Sequence, residues 1–474
     1  METVPSIMAE CVAAGVGGAI VISAGGKEIG DKGREIEDRI RRTAYEGGIR
    51  VLGPNCLGIL LPHRGLNATF APDMPEPGHL AFVSQSGGIC TSILDLALKE
   101  HIGFSHFVST GSMIDVDFGD IIDYLGNDPN AKSILLYIES LTHFRKFMSA
   151  ARAVSRIKPI VALKAGRSAA GARAAASHTG AMAGEDAVYD AAFRQAGVVR
   201  VDTIEDLFDC AELMAKQPRP SGSRLAIVTN GGGPGVMATD ALARYGLEPE
   251  PLAQETVDAL NAFLPPYWSR NNPIDILGDA SAERFARTLD VCMGAKNIDG
   301  VLVILAPQAL TPPEPVADGL AETAGQRRFP VFASWMGGKG IETALTRLNR
   351  AGIPTYETPE RAVRAFHYLY QYARNLEMLQ EIPPRLTREL TFDRDRAERI
   401  VPDAPPKEGV FLTETEAKEV LDAYGIPVNR TETAADADAA AAVADGIGYP
   451  VALKLLSPDI THKTDADGVQ LDLK

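Results

Sequence analysis

Short runs of β-branched and aliphatic residues alternate with longer amphipathic, alanine-rich stretches along most of the chain. Residues 18–23, 49–52, 79–83, 134–138, 159–164, 224–229, 300–306 and 330–335 have the length and composition of buried strands. Between them, stretches such as 89–98 and 236–245 carry apolar residues at helical spacing. Strands that alternate with helices predict an α/β protein with parallel sheets built from βαβ units.

Proline-rich and charged stretches interrupt the pattern at 61–78, 217–223 and 382–409. The expected segments are 1–72, 77–217 and 222–380, then a linker over 381–410 and a last segment over 411–474. The first segment offers only two clear strands and opens on a helix. The last one halts in a hairpin, with 468–473 paired to 450–455. Both ends read as cut. The alanine run 434–442 predicts a surface helix.

Composition narrows the function. The 474 residues are about three domains' worth, and 45% hydrophobic content suffices for several cores. Lys plus Arg (47) against Asp plus Glu (62) leaves a net charge of −15, without a basic block. That argues against a nucleic-acid or membrane surface, so any anionic ligand must be held locally. No apolar run reaches membrane-spanning length and the start does not resemble a signal peptide, so the expected location is cytoplasmic. Five dispersed cysteines without a CxxC predict reduced, mostly buried thiols.

Two loops invite an anion. Ser84-Gln85-Ser86-Gly87-Gly88 joins a strand to a helix, and Asn230-Gly231-Gly232-Gly233-Pro234-Gly235 repeats the design in the next segment. Hydroxyls and glycines at a helix N-terminus expose backbone N–H groups and a partial positive charge. The candidate phosphate-binding residues are Ser84, Ser86, Gly87, Gly88, Asn230, Gly231, Gly232 and Gly233; an ordinary capped turn is the plain alternative. The second loop is not the G-x-G-x-x-G dinucleotide fingerprint.

Between the loops, Ala174-Ala175-Ala176-Ser177-His178-Thr179-Gly180-Ala181 surrounds one histidine with small residues. An imidazole is a competent nucleophile toward a phosphoryl group, and its other nitrogen needs an orienting partner. Glu139, at the end of strand 134–138, occupies the carboxyl edge where α/β sheets place ligands. The other histidines show no metal-ligand spacing, so no metal site is predicted. A G-x-S-x-G elbow is also missing.

The Ser-His-Thr-Gly motif at His178, the Ser84–Gly88 loop, Gly53-Pro54-Asn55-Cys56 and the Asn230–Gly233 loop together resemble the ADP-forming acyl-CoA synthetases, relatives of succinyl-CoA synthetase. The resemblance covers nearly the whole chain. It implies a partial Rossmann-like CoA-binding domain, two flavodoxin-like ligase domains and the beginning of an ATP-grasp domain. It also implies a relay in which an acyl phosphate phosphorylates His178, oriented by Glu139, and the phosphohistidine then phosphorylates ADP. Gly53, Pro54 and Asn55 match the loop near the thiol end of CoA. Lys454 resembles the first nucleotide-contacting lysine of the ATP-grasp fold, and His462 matches a second histidine proposed to receive the phosphoryl group.

The implied ligands are CoA and ATP or ADP, with Mg2+ ligands expected beyond residue 474, and the implied partners are small-molecule substrates (acyl-CoA, ADP, phosphate), with a homo-oligomer expected by analogy. Ser112 stands where the family often has Asn. The resemblance makes this chain a fragment with little complete-reaction activity. Two alternatives remain: the CoA-sensing region of a protein lysine acetyltransferase, which the stretch 268–278 resembles, and a simple CoA-binding module.

Overall fold

The protein is described from a computed structural model. Its described residues are 1–99, 102–168, 170–171, 173, 185–326, 329–381, 392–401, 412–457, 460 and 463–474. Two compact units result, Met1–Glu381 and Ile382–Lys474.

The first unit opens with helix Val4–Ala13 and a two-stranded parallel ribbon, β1 (Gly18–Ile20) with β2 (Arg50–Leu52), linked by helix Asp31–Glu46. Ile36, Ile40 and Ala44 of that helix are buried with Val4, Met8, Val21 and Val51. The opening helix and the two strands thus agree with the sequence pattern. The stretch 61–78, expected as a break, instead holds structure. β3 (Gly58–Leu61) and β4 (Leu66–Thr69) form an antiparallel hairpin, and β3 pairs with β6 (Phe104–Ser109). β3 lies within the apolar run Cys56–Leu61, next to the prolines that suggested a break, and β4, Leu-Asn-Ala-Thr, is too short and polar to announce itself and has no buried residue.

That sheet has seven strands, in the order β4-β3-β6-β5-β7-β8-β9. Its parallel part contains β5 (Pro77–Ser84), β6, β7 (Ser133–Ile138), β8 (Ile160–Lys164) and β9 (Val199–Val201). The five-stranded sheet is wholly parallel, in the order β11-β10-β12-β13-β14. Its strands are β10 (Leu225–Thr229), β11 (Ile274–Asp275), β12 (Gly300–Leu305), β13 (Val331–Trp335) and β14 (Thr355–Tyr356). Numbered from its own first parallel strand, each sheet reads 2-1-3-4-5, the flavodoxin-like order. Its switch point lies beside the first strand.

Near-continuous burial of β8, β10, β12 and β13 explains why these strands read as unbroken apolar runs: helices cover both faces. β6, β9, β11 and β14 escaped the sequence pattern because they are short, or, as in Phe-Ser-His-Phe-Val-Ser, broken by polar residues. Helix Pro359–Gln380 joins the two sheets. Its Val363, Phe366, Leu369 and Leu376 are buried in one cluster with Phe82 and Phe104 of the first sheet and Leu302 and Phe332 of the second. Arg361 forks onto Asp209 at 2.9 and 2.8 Å, and the Tyr372 hydroxyl donates to Ser155 O at 2.8 Å.

The second unit contains helices Arg394–Ile400, Glu414–Ala423 and Ala437–Ile447 and the antiparallel hairpin of β15 (Val451–Lys454) with β16 (Val469–Leu473). The hairpin pairing follows the sequence expectation. The alanine-rich helix begins at Ala437, where Asp436 caps it by accepting from Ala439 N at 2.8 Å, and buries none of its residues.

Candidate functional site

At the switch point of the seven-stranded sheet, β5 ends on the buried Ser84. The Ser84 hydroxyl accepts from Ser86 N and donates to Ser86 O, both at 3.0 Å, which bends the chain sharply into helix Gly87–Lys99. Ser86 Oγ accepts from Ile89 N at 3.3 Å and caps the helix. Among the described residues no acceptor takes a hydrogen bond from the amides of Gly87 or Gly88. A methyl group added at either would meet no atom within 4 Å. The loop therefore presents an open face lined by backbone amides at a helix N-terminus.

Gln85, which sequence reasoning passed over, performs the assembly. Its side-chain oxygen accepts from Glu139 N at 2.6 Å and Ser140 N at 2.9 Å. The turn that carries Glu139 is thereby clamped to the Ser84–Gly88 loop. Only the adjacency of β5 and β7 makes this possible, and adjacency is a property of the sheet rather than of spacing along the chain.

The five-stranded sheet repeats this arrangement. Thr229 Oγ1 accepts from Gly231 N at 3.1 Å and donates to Gly231 O at 2.8 Å, and helix Gly232–Ala243 follows. Asn230 takes the place of Gln85: it accepts from Ala306 N at 2.8 Å and donates to Ala306 O at 2.9 Å. The repeat is visible in the sequence once aligned, since Ser-Gln-Ser-Gly-Gly and Thr-Asn-Gly-Gly-Gly share hydroxyl, amide, small residue and two glycines. Its second copy has Ala306 where the first has Glu139, so only the first places a carboxylate there. Asp275 supplies a different acid; its Oδ2 lies 3.4 Å from where a Gly232 side chain would start.

The Gly53-Pro54-Asn55 loop reaches the same edge of the first sheet. Ser112 N donates to Pro54 O at 2.8 Å, Ile114 N to Gly53 O at 3.2 Å, and Leu57 N to Ser109 Oγ at 2.9 Å. Thr110 N, one residue beyond β6, donates to Ser84 O at 2.8 Å. The stretch 109–114 thus touches the Ser84 loop on one side and the Gly53–Asn55 loop on the other. Gly111 is needed at that crossing: it has φ +58°, and a Cβ there would stand 2.1 Å from Pro54 O. Cys56, beside the loop, is buried, and burial pushes its thiol up to about 11. It is a poor nucleophile. Four of the five cysteines are buried and all are free, as expected.

His178 and His462 lie outside the described residues. In the second unit, Lys454 donates to Glu414 at 2.9 Å. Glu414 also receives Lys418 at 2.9 Å and Lys463 at 3.4 Å, and its lysine partners hold its carboxyl down to about 2. Three ammonium groups against one carboxylate leave a local excess of positive charge suited to an anion. Glu414 bore no signal in the sequence beyond its place at the start of a helix. Among the described residues, no three His, Cys, Asp or Glu side chains converge as a metal site requires. None of the described helices is long and apolar enough to cross a membrane.

Three family models match the chain: a succinyl-CoA ligase-like flavodoxin domain over 77–214, a ligase-CoA domain over 225–380 and an ATP-grasp domain over 404–474. The ADP-forming acetate–CoA ligase I of Archaeoglobus fulgidus is 41% identical, with 100% of this chain and 67% of that protein covered. The alpha subunit of ADP-forming acetate–CoA ligase II of Pyrococcus furiosus is 40% identical over 79% of this chain and 82% of its own. The ADP-forming 4-hydroxybutyrate–CoA ligase of Nitrosopumilus maritimus is 33% identical over 99% of this chain and 67% of its own. Among solved structures, the dinucleotide-forming acetyl-coenzyme A synthetase 1 of Ca. Korarchaeum cryptofilum, in complex with phosphate and ADP, superposes with a TM-score of 0.74. It is 38% identical over 80% of this chain and 82% of that one. Nothing in these comparisons favours the acetyltransferase alternative.

Proposed function

Because the chain belongs to the ADP-forming acetate–CoA ligase family with succinyl-CoA ligase-like domains, we propose that it acts in the interconversion of acyl-CoA, ADP and phosphate with acid, CoA and ATP, through acyl phosphate and a phosphohistidine at His178. The substrate is a short acyl group, acetate foremost, as in the names of the relatives. The observation that carries the reading is the Gln85 clamp, which holds the Glu139 turn against an anion-accepting helix N-terminus. The Gly53–Asn55 loop, where the family holds the CoA thiol end, meets the same sheet edge.

In the phosphorylation step, the lone pair of one His178 ring nitrogen forms the N–P bond while the P–O bond to the acyl oxygen breaks. The electron pair leaves on the released carboxylate. The proton on the second ring nitrogen stays on the ring, held by the Glu139 carboxylate. Backbone amides at Gly87 and Gly88 receive the phosphoryl oxygens, and the second loop at Asn230–Gly233 offers a matching cradle. In the following step the phosphoryl group passes to ADP, with Lys454 and, in some members, a second histidine at the His462 position as its contacts. Bound magnesium would shield the nucleotide phosphates, but the described residues supply no ligand set for it.

The test uses acetyl phosphate labelled at phosphorus. The chain should take up label that is labile in acid and stable in base, the signature of a phosphoimidazole. His178→Ala should abolish it. Undiminished labelling of that variant would show that the phosphoryl group goes elsewhere.

A further inference from the structure

The turn after β1 has no part in the relay, yet it lies against the loop that matches the CoA thiol end. Asn55 N donates to Ser23 O at 3.1 Å, and a Cβ at Gly53 would stand 2.3 Å from Val21 O. The chain then turns through Gly25-Gly26-Lys27-Glu28. Two carboxylates fix this turn by its backbone: Gly25 N donates to Glu28 Oε1 at 2.6 Å, and Lys27 N to Glu37 Oε1 at 3.1 Å. Glu37, on helix Asp31–Glu46, is 8% exposed, and Gly26 packs so closely on it that a Cβ there would stand 2.1 Å from the same oxygen.

Neither acid takes the Lys27 ammonium. Glu28 Oε2 is buried and accepts no hydrogen bond, and no carboxylate among the described residues lies within ion-pair distance of Lys27. The half-buried ammonium instead donates to Ser112 O at 3.3 Å. Ser112 is itself buried, and its N donates to Pro54 O at 2.8 Å. This one residue therefore joins the ammonium to the Gly53–Asn55 loop, and two positions earlier Thr110 N reaches Ser84 O in the phosphate loop. An ammonium carries three donors. One is used here, and the other two are spent on no described residue.

We infer that Lys27 is the electrostatic partner of the CoA sulfur in the acyl-transfer half of the reaction. A phosphate oxygen attacks the thioester carbonyl carbon; the C–O bond forms, the C–S bond breaks, and the electron pair stays on sulfur as a thiolate that receives the ammonium donors. In the opposite direction the thiol gives its proton to solvent, and the thiolate, favoured by the ammonium, attacks the acyl phosphate carbonyl and expels phosphate. The inference rests on the reading of Gly53–Asn55 as the loop at the thiol end of CoA. A cation held beside charge that develops only as the bond breaks stabilises the transition state more than the bound substrate. It therefore acts on kcat rather than on KM.

The experiment measures free CoA released from acetyl-CoA and inorganic phosphate, alongside label uptake from acetyl phosphate, in the parental chain, Lys27→Met and Lys27→Arg. In Lys27→Met, kcat for CoA release should fall about 100-fold with KM for both substrates near parental. Label uptake involves no sulfur, so the ratio of CoA release to uptake should fall by a similar factor. Lys27→Arg, which keeps the charge, should recover most of the release. If Lys27→Met does not fold, as judged by circular dichroism, Lys27→Gln carries the same comparison. Parental kcat in Lys27→Met, an unchanged ratio because both activities fall together, or a parental chain that takes up label but releases no CoA each overturns the role of Lys27 and leaves the relay standing. A parental chain that neither takes up label nor releases CoA overturns the relay and this inference together.

Discussion

The open face at Gly87 and Gly88 permits a substitution that separates folding from function. In Gly87→Ala/Gly88→Ala the new methyl groups meet no atom within 4 Å, and neither glycine has positive φ. Both residues lie in the first turn of helix Gly87–Lys99, where replacing glycine by alanine is worth up to ~1 kcal/mol per site in helix propensity. Stability should hold or rise by ~1 kcal/mol. The anion is a different matter. A phosphoryl oxygen that can no longer reach an amide forfeits a charge-assisted hydrogen bond of ~1.5–3 kcal/mol, and part of the ~0.3–2 kcal/mol that a helix N-terminus offers an anion. That corresponds to a loss of about 10- to 1,000-fold in affinity for inorganic phosphate. Urea denaturation measures the first effect; titration calorimetry with phosphate and the rate of label uptake from acetyl phosphate measure the second. Parental phosphate affinity and labelling in a stably folded double variant would refute the cradle. A drop in stability of several kcal/mol would refute the open space on which the reasoning stands.

Three further outcomes are expected. Gly111→Ala combines a positive φ with a Cβ 2.1 Å from Pro54 O and 2.5 Å from Asn55 O, so it should lose ~2–5 kcal/mol in urea denaturation; a loss below ~1 kcal/mol would show that the Gly53–Asn55 loop does not pack there. Burial against the Tyr245 ring pulls His367 from 6.5 to about 4, so its neutral form is favoured in the folded state; its share of stability is intact above pH 6.5 and falls by at most ~3 kcal/mol as the pH drops toward 4. His367→Gln should flatten that acid limb in pH-dependent thermal melts. Asp299, 1% exposed, accepts from Ser221 Oγ and from Arg224 N, Nε and Nη2, so Asp299→Ala should cost ~2–4 kcal/mol by chemical denaturation, with a clearly smaller loss for Arg224→Lys.

Much of this architecture was legible from the residues alone. Unbroken apolar runs such as Ile-Val-Ala-Leu-Lys and Gly-Val-Leu-Val-Ile-Leu announce strands buried on both faces, because nothing but a parallel sheet between helices needs them. Glycines and hydroxyls after such a run announce a helix N-terminus open to an anion, since the local backbone alone determines it. The signal failed wherever burial came from distant neighbours. Gly58 and Leu60 of β3 are buried where that strand pairs with β6, and Phe-Ser-His-Phe-Val-Ser is a fully buried strand despite its polar residues because the sheet surrounds it.

The same division holds for the site. The amino-acid order by itself determined which hydroxyls and glycines stand at a helix N-terminus and where the strands carrying them end, for these are consequences of local composition and short-range hydrogen bonding. Tertiary structure alone decided that Gln85 should bond the amides of Glu139 and Ser140, that Gly111 should press on Pro54, and that Lys164 should lie buried over the Tyr189 ring. Each of these depends on which strand lies next to which. Strand adjacency arises from the packing of whole faces, which short-range preference along the chain does not encode.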